Sequence, residues 1–140
     1  MVMTHCEDIQ IRFSDYDSFG HINNNAYMAY LDIGKFAFYR SLFGCQPTAD
    51  QIGAVIVNIN VDFMAPSVVG EPLQVQTAVA SLGNKSFSLY QRIVCKTSGH
   101  IKAQATTVIA GFDMATGVSA PLNDRLAVAL RELYEVNAGK

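Results

Sequence analysis

Between Arg12 and Tyr27 the chain reads RFSDYDSFGHINNNAY, which gathers two carboxylates (Asp15 and Asp17), one imidazole (His21) and three consecutive carboxamides (Asn23 to Asn25). Asp, Ser, Gly and Asn are turn formers, so Ser14 to Asn25 reads as a loop. Ala26 to Phe43 has helical character, and the asparagines before it are natural caps for the N–H groups left free at a helix start. Unbonded backbone N–H groups and the positive end of the helix dipole therefore collect beside the carboxylates. Such a combination suits an acyl carbonyl: amides polarise the oxygen, while a carboxylate attacks the carbon or activates water. His21 titrates near neutrality when unperturbed and could shuttle a proton, or it could orient the loop. Read from composition alone, the same residues also make an ordinary solvated loop.

The elements that must position this loop follow from periodicity. Ile9 to Phe13 alternates apolar and polar residues and predicts a strand in front of it. Behind it, the helix from Ala26 to Phe43 is apolar around most of its circumference. Tyr27, Leu31, Gly34, Phe38 and Leu42 form one stripe and Ala26, Tyr30, Ile33 and Ala37 its neighbour, leaving a narrow wet wedge at Asp32 and Lys35. A helix of this kind is wrapped by other elements, and Gly44 is placed to end it. Four period-2 segments, at Val55–Phe63, Leu73–Val79, Phe87–Cys95 and Ile101–Ile109, supply the wrapping and read as an antiparallel meander. Asn58, Asn60 and Asp62 share one face of the first of these, and parity does not decide whether that face is inside or outside. Leu122 to Tyr134 predicts a short terminal helix capped by Asn123 or Asp124.

Composition narrows the function classes. One domain, residues 1–140, fits the length. Half the residues are hydrophobic and only 16% are charged, so part of the surface is expected to lie against another subunit. A net charge of -2 with scattered Lys and Arg gives no field for nucleic acid. Cys6, Cys45 and Cys95 form no CxxC, which points to a reducing compartment, and Cys95 reads as a small buried hydrophobe. His5, His21 and His100 are too dispersed to predict a metal set. Neither a signal peptide nor an apolar stretch of about 20 residues is present, so a cytoplasmic protein without membrane attachment is expected.

The pattern Asp15-x-Asp17-x-x-Gly20-His21-x-Asn23-Asn24-x-x-Tyr27 resembles the acyl-CoA thioesterases of the 4-hydroxybenzoyl-CoA thioesterase family, as does Val61-x-Phe63-x-x-Pro66-x-x-x-Gly70-x-x-Leu73-x-Val75. The similarity runs roughly from Ile9 to Phe112. It implies an α+β hotdog fold, about five antiparallel strands around a long central helix. It also implies hydrolysis of acyl-CoA to free acid and coenzyme A without a cofactor, in a homodimer or homotetramer with sites at the subunit interface. By the same resemblance, Asp17 is the catalytic nucleophile or general base and the backbone N–H near Asn24 polarises the carbonyl, while Asp15 shapes the loop. His21 and Asn23 brace the loop or touch substrate, and Tyr27 packs the core or contacts the ligand. Lys85 and Ser86 sit at a hairpin tip where the family often places coenzyme A phosphate contacts, with Arg92, Lys96 and Lys102 as further candidates. Two other readings use the same fold. A hydratase or dehydratase of acyl thioesters lacks its motif here. A non-enzymatic acyl-CoA binding module usually carries a regulatory domain, for which no chain is spare.

Overall fold

The computed structural model describes residues 3–138. In chain order these form β1 (His5–Asp8), a single 3-10 turn (Phe13–Asp15), α1 (Asn24–Phe43), α2 (Ala49–Ile52), β2 (Ala54–Phe63), β3 (Leu73–Leu82), β4 (Ser86–Cys95), β5 (Ile101–Asp113), β6 (Val118–Ser119) and α3 (Asp124–Ala138). The sheet is antiparallel with strand order β1-β3-β4-β5-β2, and β6 adds a short pairing to β5. Helix α1 packs chiefly against β1, β3 and β4, which gives the hotdog arrangement expected.

Local chemistry sets the ends of α1. The Asn23 side chain accepts from the Asn25 N–H at 2.9 Å, and Gly44, at φ 73°, donates its N–H to Arg40 O. In the middle, Gly34 lets the helix lie directly on the sheet. A Cβ there would meet Val75 Cγ1 at 2.5 Å and Gln91 Nε2 at 2.9 Å. The same Gln91 Nε2 donates to Leu31 O and Thr77 Oγ1, tying helix to sheet from inside.

Two apolar clusters fill the space between. Under the first half of α1, Tyr27, Tyr30 and Leu31 meet Leu73, Val75, Ile93 and Ala105. Under the second half, Phe38 and Phe43 meet Val79, Phe87, Leu89 and Ile109. Helix α3, whose place the sequence left open, closes that second cluster with Leu126 and Leu130, both fully buried and worth about 2 kcal/mol each.

Four sequence expectations need correction. The first strand is His5–Asp8, not Ile9–Phe13; the latter stretch turns away after Ile9 bonds Leu73 O, and Ile9 and Ile11 pack on the core from the loop. The meander holds for β3–β4–β5, but β2 pairs with β5 at the far edge. Residues 64–72, with Pro66, Gly70 and Pro72, make a crossing rather than a tight hairpin. Lys35 is not wet: it stands one turn beyond Leu31 on the inner face and is 4% exposed. Conversely Ile33, expected to be covered, remains 45% exposed, and Phe36 near it is 58% exposed. The open question on β2 is settled: Asn58, Asn60 and Asp62 are exposed on the outer face, where Asp62 accepts from Gln104. No helix among the described residues is long and apolar enough to cross a membrane.

Candidate active site

The loop ahead of α1 is held by a buried carboxylate. Asp15 is 5% exposed and accepts from the Arg12 N–H at 2.9 Å, from Arg12 Nη2 at 3.2 Å and from the Tyr30 hydroxyl at 2.6 Å. Burial pushes its carboxyl up, but the Tyr30 and Arg12 hydrogen bonds and the Arg12 charge outweigh this and hold it below the ordinary range. Its backbone O accepts from the Asn23 N–H, which docks the helix cap on the same turn.

Beyond Asp15 the chain doubles back. Tyr16 pairs with Ile22, Asp17 N–H bonds His21 O, and Gly20 takes the left-handed φ of 78° that the turn requires. Asp17 Oδ1 accepts from the Phe19 and His21 N–H groups at 2.9 and 3.1 Å. Its Oδ2 has no hydrogen-bond partner among the described residues. The tip is then pinned to the segment after β2, through Ile22 N–H to Ser67 O and a bridge between His21 and Val68.

This folding opens a cleft of about 270 Å³ lined on one side by Asp17, His21, Asn24 and Tyr27 and on the other by Phe63 to Pro66. Asp17 is an exposed side chain at its rim. Tyr27 forms the buried floor: its ring lies 5.9 Å from Phe63 and its hydroxyl meets Ser67 Oγ at 2.5 Å. Burial raises the Tyr27 pKa, which keeps the phenol neutral. The opposing wall is fixed from below by Lys102, whose buried ammonium donates to Pro66 O at 3.0 Å and pairs with Glu71 at 2.9 Å. The Val68 N–H and then Lys102 hold the Glu71 carboxyl below its usual range.

At the start of α1 the N–H groups are unequally used. Asn25 N–H goes to the Asn23 side chain and Ala26 N–H to Asn23 O, whereas Asn24 N–H has no partner among the described residues. Asn24 lines the cleft. An amide donor, the positive end of a twenty-residue helix and a carboxylate with a free oxygen thus border one cavity.

Of the residues singled out in the sequence, Asp17, His21, Asn24 and Tyr27 line this cleft, with Asn23 beside them as the cap. Lys85 and Ser86 do not join them within the chain. They lie by Ala110 and Gly111, at the end of the sheet where β2 begins, whereas the cleft lies where β2 ends. Arg92, Lys96 and Lys102 are bonded to Gln76, Asp8 and Glu71 respectively. Cys95 is buried, and hydrogen bonds from Ser98 and Thr97 bring its thiol down to about 7. Ser67 and the Lys102–Glu71 brace had no signal in the sequence, because their partners are distant along the chain. No group of three or more His, Cys, Asp and Glu among the described residues could hold a metal ion.

Over 128 residues the chain is 27% identical to the long-chain acyl-CoA thioesterase FadM of Escherichia coli strain K12, covering 91% of this chain and 97% of that protein. A predicted thioesterase from Bacillus stearothermophilus superposes with a TM-score of 0.81 at 28% identity, over 91% of this chain and 94% of the other. A thioesterase from Thermus thermophilus, complexed with coenzyme A and Zn, gives 0.80 at 21% identity, over 93% and 99%. Residues 11–130 match the thioesterase-like superfamily as a whole, and on that match the chain belongs to the thioesterase-like superfamily.

Proposed function

We propose that this protein hydrolyses acyl-CoA thioesters to a free acid and coenzyme A. The observation that carries the reading is that one cleft is lined by both Asn24, whose N–H is unbonded, and Asp17, whose Oδ2 is unbonded, among the described residues. A thioester carbonyl seated there receives the amide on its oxygen, with the helix dipole behind it. Asp17 then attacks the carbonyl carbon to form an acyl-aspartyl anhydride that water hydrolyses, or takes a proton from the water that attacks. In either route the C–S bond breaks, the thiolate gains a proton to leave as the thiol of coenzyme A, and water supplies the new oxygen of the acid. His21, Asn23 and Tyr27 border the acyl carbonyl and keep the loop and helix start in register. The long-chain acyl-CoA specificity named for the Escherichia coli relative and the coenzyme A bound to the Thermus protein support an acyl-CoA substrate. The narrower likeness to the 4-hydroxybenzoyl-CoA thioesterases enters the same proposal through the Asp15 to Tyr27 motif.

The working unit in this reading is a homodimer, or a tetramer of two such dimers. Strand β2 is a ten-residue edge with Ile56, Val57 and Phe63 each about half exposed, the kind of edge that proteins cover or pair. Two-fold antiparallel pairing of β2 with its copy sets the start of one β2 beside the end of the other. The Lys85–Ser86 turn of the second copy then stands at the same end of the joined sheet as Asp17, in position for the phosphates of coenzyme A. Thiol release from a panel of short, long and aromatic acyl-CoAs, followed with a thiol-reactive dye, tests the proposal. Release by the wild type and its loss in Asp17→Asn support it; no release from any member, or equal release by the variant, removes it.

A further inference from the structure

A second cleft, of about 450 Å³, lies between α1 and the start of β2, with Lys35, Phe36, Tyr39, Ile52, Ile56 and Met114 in its walls. Apart from Asp32, Lys35 and the Tyr39 hydroxyl its lining is apolar. Lys35 is the anomaly. Its side chain is 5% exposed, and its ammonium is buried with no hydrogen-bond partner among the described residues. Asp32 makes a loose i,i+3 ion pair with it at 3.7 Å, too long for a hydrogen bond, and is itself mostly in solvent, so the buried N–H donors remain unmet. A buried ammonium with its donors unmet is strongly disfavoured, so such a group marks a place where an acceptor belongs.

The two clefts lie along one seam. Asn24 and Lys35 are eleven residues apart, about three turns and roughly 16 Å along the same helix face. Strand β2 runs back alongside, with Ile56 in the second cleft and Phe63 in the first. Between them Met28 of α1 and Ile59 and Val61 of β2 are partly buried apolar groups. Helix α1 packs chiefly on β1, β3 and β4, so its meeting with β2 is made by side chains such as Tyr27 and Phe63 rather than by close backbone approach.

We propose that the second cleft receives the far part of the acyl chain and that Lys35 donates a hydrogen bond there to an oxygen carried on that chain. The preferred substrates are then long acyl thioesters bearing a hydroxyl, oxo or carboxylate group remote from the thioester. This rests on the thioesterase reading above. A plain hydrocarbon tail fills the apolar walls but leaves the ammonium unmet, whereas an oxygenated tail satisfies both.

The test compares plain acyl-CoAs of roughly twelve to sixteen carbons, a length matched to the roughly 16 Å separation, with chains of equal length carrying a terminal hydroxyl or carboxyl group. Wild-type protein should favour the oxygenated chains by about tenfold or more in kcat/KM, mainly through KM. Lys35→Met, of similar volume, should lose that preference and still cleave the plain chains; where it fails to fold, Lys35→Gln replaces it with the same expectation. A carboxyl chain outrunning the hydroxyl chain identifies charge pairing, and equal rates identify a neutral acceptor. No preference in the wild type, a preference kept in the variant, or an equal loss on every chain together with altered oligomeric state each overturns the proposal. The last outcome would assign the ammonium to a subunit contact. If no chain releases thiol, the thioesterase reading fails by itself. Calorimetric titration with the free ω-hydroxy and ω-carboxy acids then decides the site: weaker binding to Lys35→Met supports it, and equal binding overturns it.

Discussion

The Tyr30 hydroxyl donates a 2.6 Å hydrogen bond to Asp15 Oδ2, joining the second turn of α1 to the loop that carries Asp17. Because Asp15 also accepts from Arg12 and its backbone O holds the Asn23 N–H, one buried carboxylate fixes the helix start and the loop together. Asp15 is therefore a positioning group, while Asp17 keeps the unbonded carboxylate oxygen that the proposed reaction uses.

Tyr30→Phe removes one donor from that carboxylate and should destabilise the fold by about 1.5–3 kcal/mol. The pH dependence has a definite sign. The folded pKa of Asp15 lies below its ordinary 3.8, so its charge stabilises the fold above that value, and the contribution is lost as pH falls through the folded pKa. The stability gap between wild type and Asp15→Asn should be level from about pH 7 to about pH 5 and narrow below about pH 4. Urea denaturation at a series of pH values measures it; a gap that widens on acidification contradicts the assignment.

Asp17 separates chemistry from loop geometry. An asparagine keeps the oxygen that accepts from the Phe19 and His21 N–H groups, whereas an alanine loses it. Both variants should lose at least about a hundredfold in thiol release. Only Asp17→Ala should also lose stability, by about 1 kcal/mol. Thermal melts beside the dye assay distinguish the two effects. Activity kept by Asp17→Asn and lost in a destabilised Asp17→Ala would mean that the Asx turn, not the reacting oxygen, governs the rate.

The parts of the fold visible in the sequence were those with strong local periodicity. Helix α1 and its Asn23 and Gly44 ends follow from patterns within a few residues, as do the four long strands. Strand order did not: β2 pairs with β5 because of a crossing whose course depends on distant packing. The first strand was misplaced since Ile9, Ile11 and Phe13 alternate as a strand would, while the true strand, His5–Asp8, carries polar residues at an edge. The Asp17 loop was legible from residue types and the resemblance they carry. Its braces, Tyr27 to Ser67 and Lys102 to Glu71, are tertiary and left no local mark. Lys35 misled because a lysine beside an aspartate reads as surface, and only coordinates reveal that it turns inward.

The contact of α1 with the sheet is equally testable at Gly34. An added methyl would lie 2.5 Å from Val75 Cγ1 and 2.9 Å from Gln91 Nε2, so Gly34→Ala should cost about 1–3 kcal/mol despite its better helix propensity. Val75→Ala removes the nearer clash. In a double-mutant cycle the Gly34→Ala, Val75→Ala pair should be more stable than the sum of the single changes predicts. Strict additivity would show that the helix accommodates the methyl by moving away instead.

The β2 edge supplies the last prediction. Val57 is 58% exposed beside the register shift between Ile56 and Asn58, in a strand whose outer edge has no partner among the described residues. A lysine there sets a charge in the path of any strand pairing along that edge, a device by which edge strands avoid association. Wild-type protein should run as the proposed dimer or tetramer in light-scattering chromatography and Val57→Lys as a monomer, with far-ultraviolet circular dichroism unchanged, because the side chain lies outside both core clusters. Thiol release should fall with dissociation, since Lys85 and Ser86 lie far from Asp17 within one chain and reach it in the proposed assembly only from the second copy. A monomeric Val57→Lys variant with full turnover would place the whole reaction within one subunit and remove the shared site.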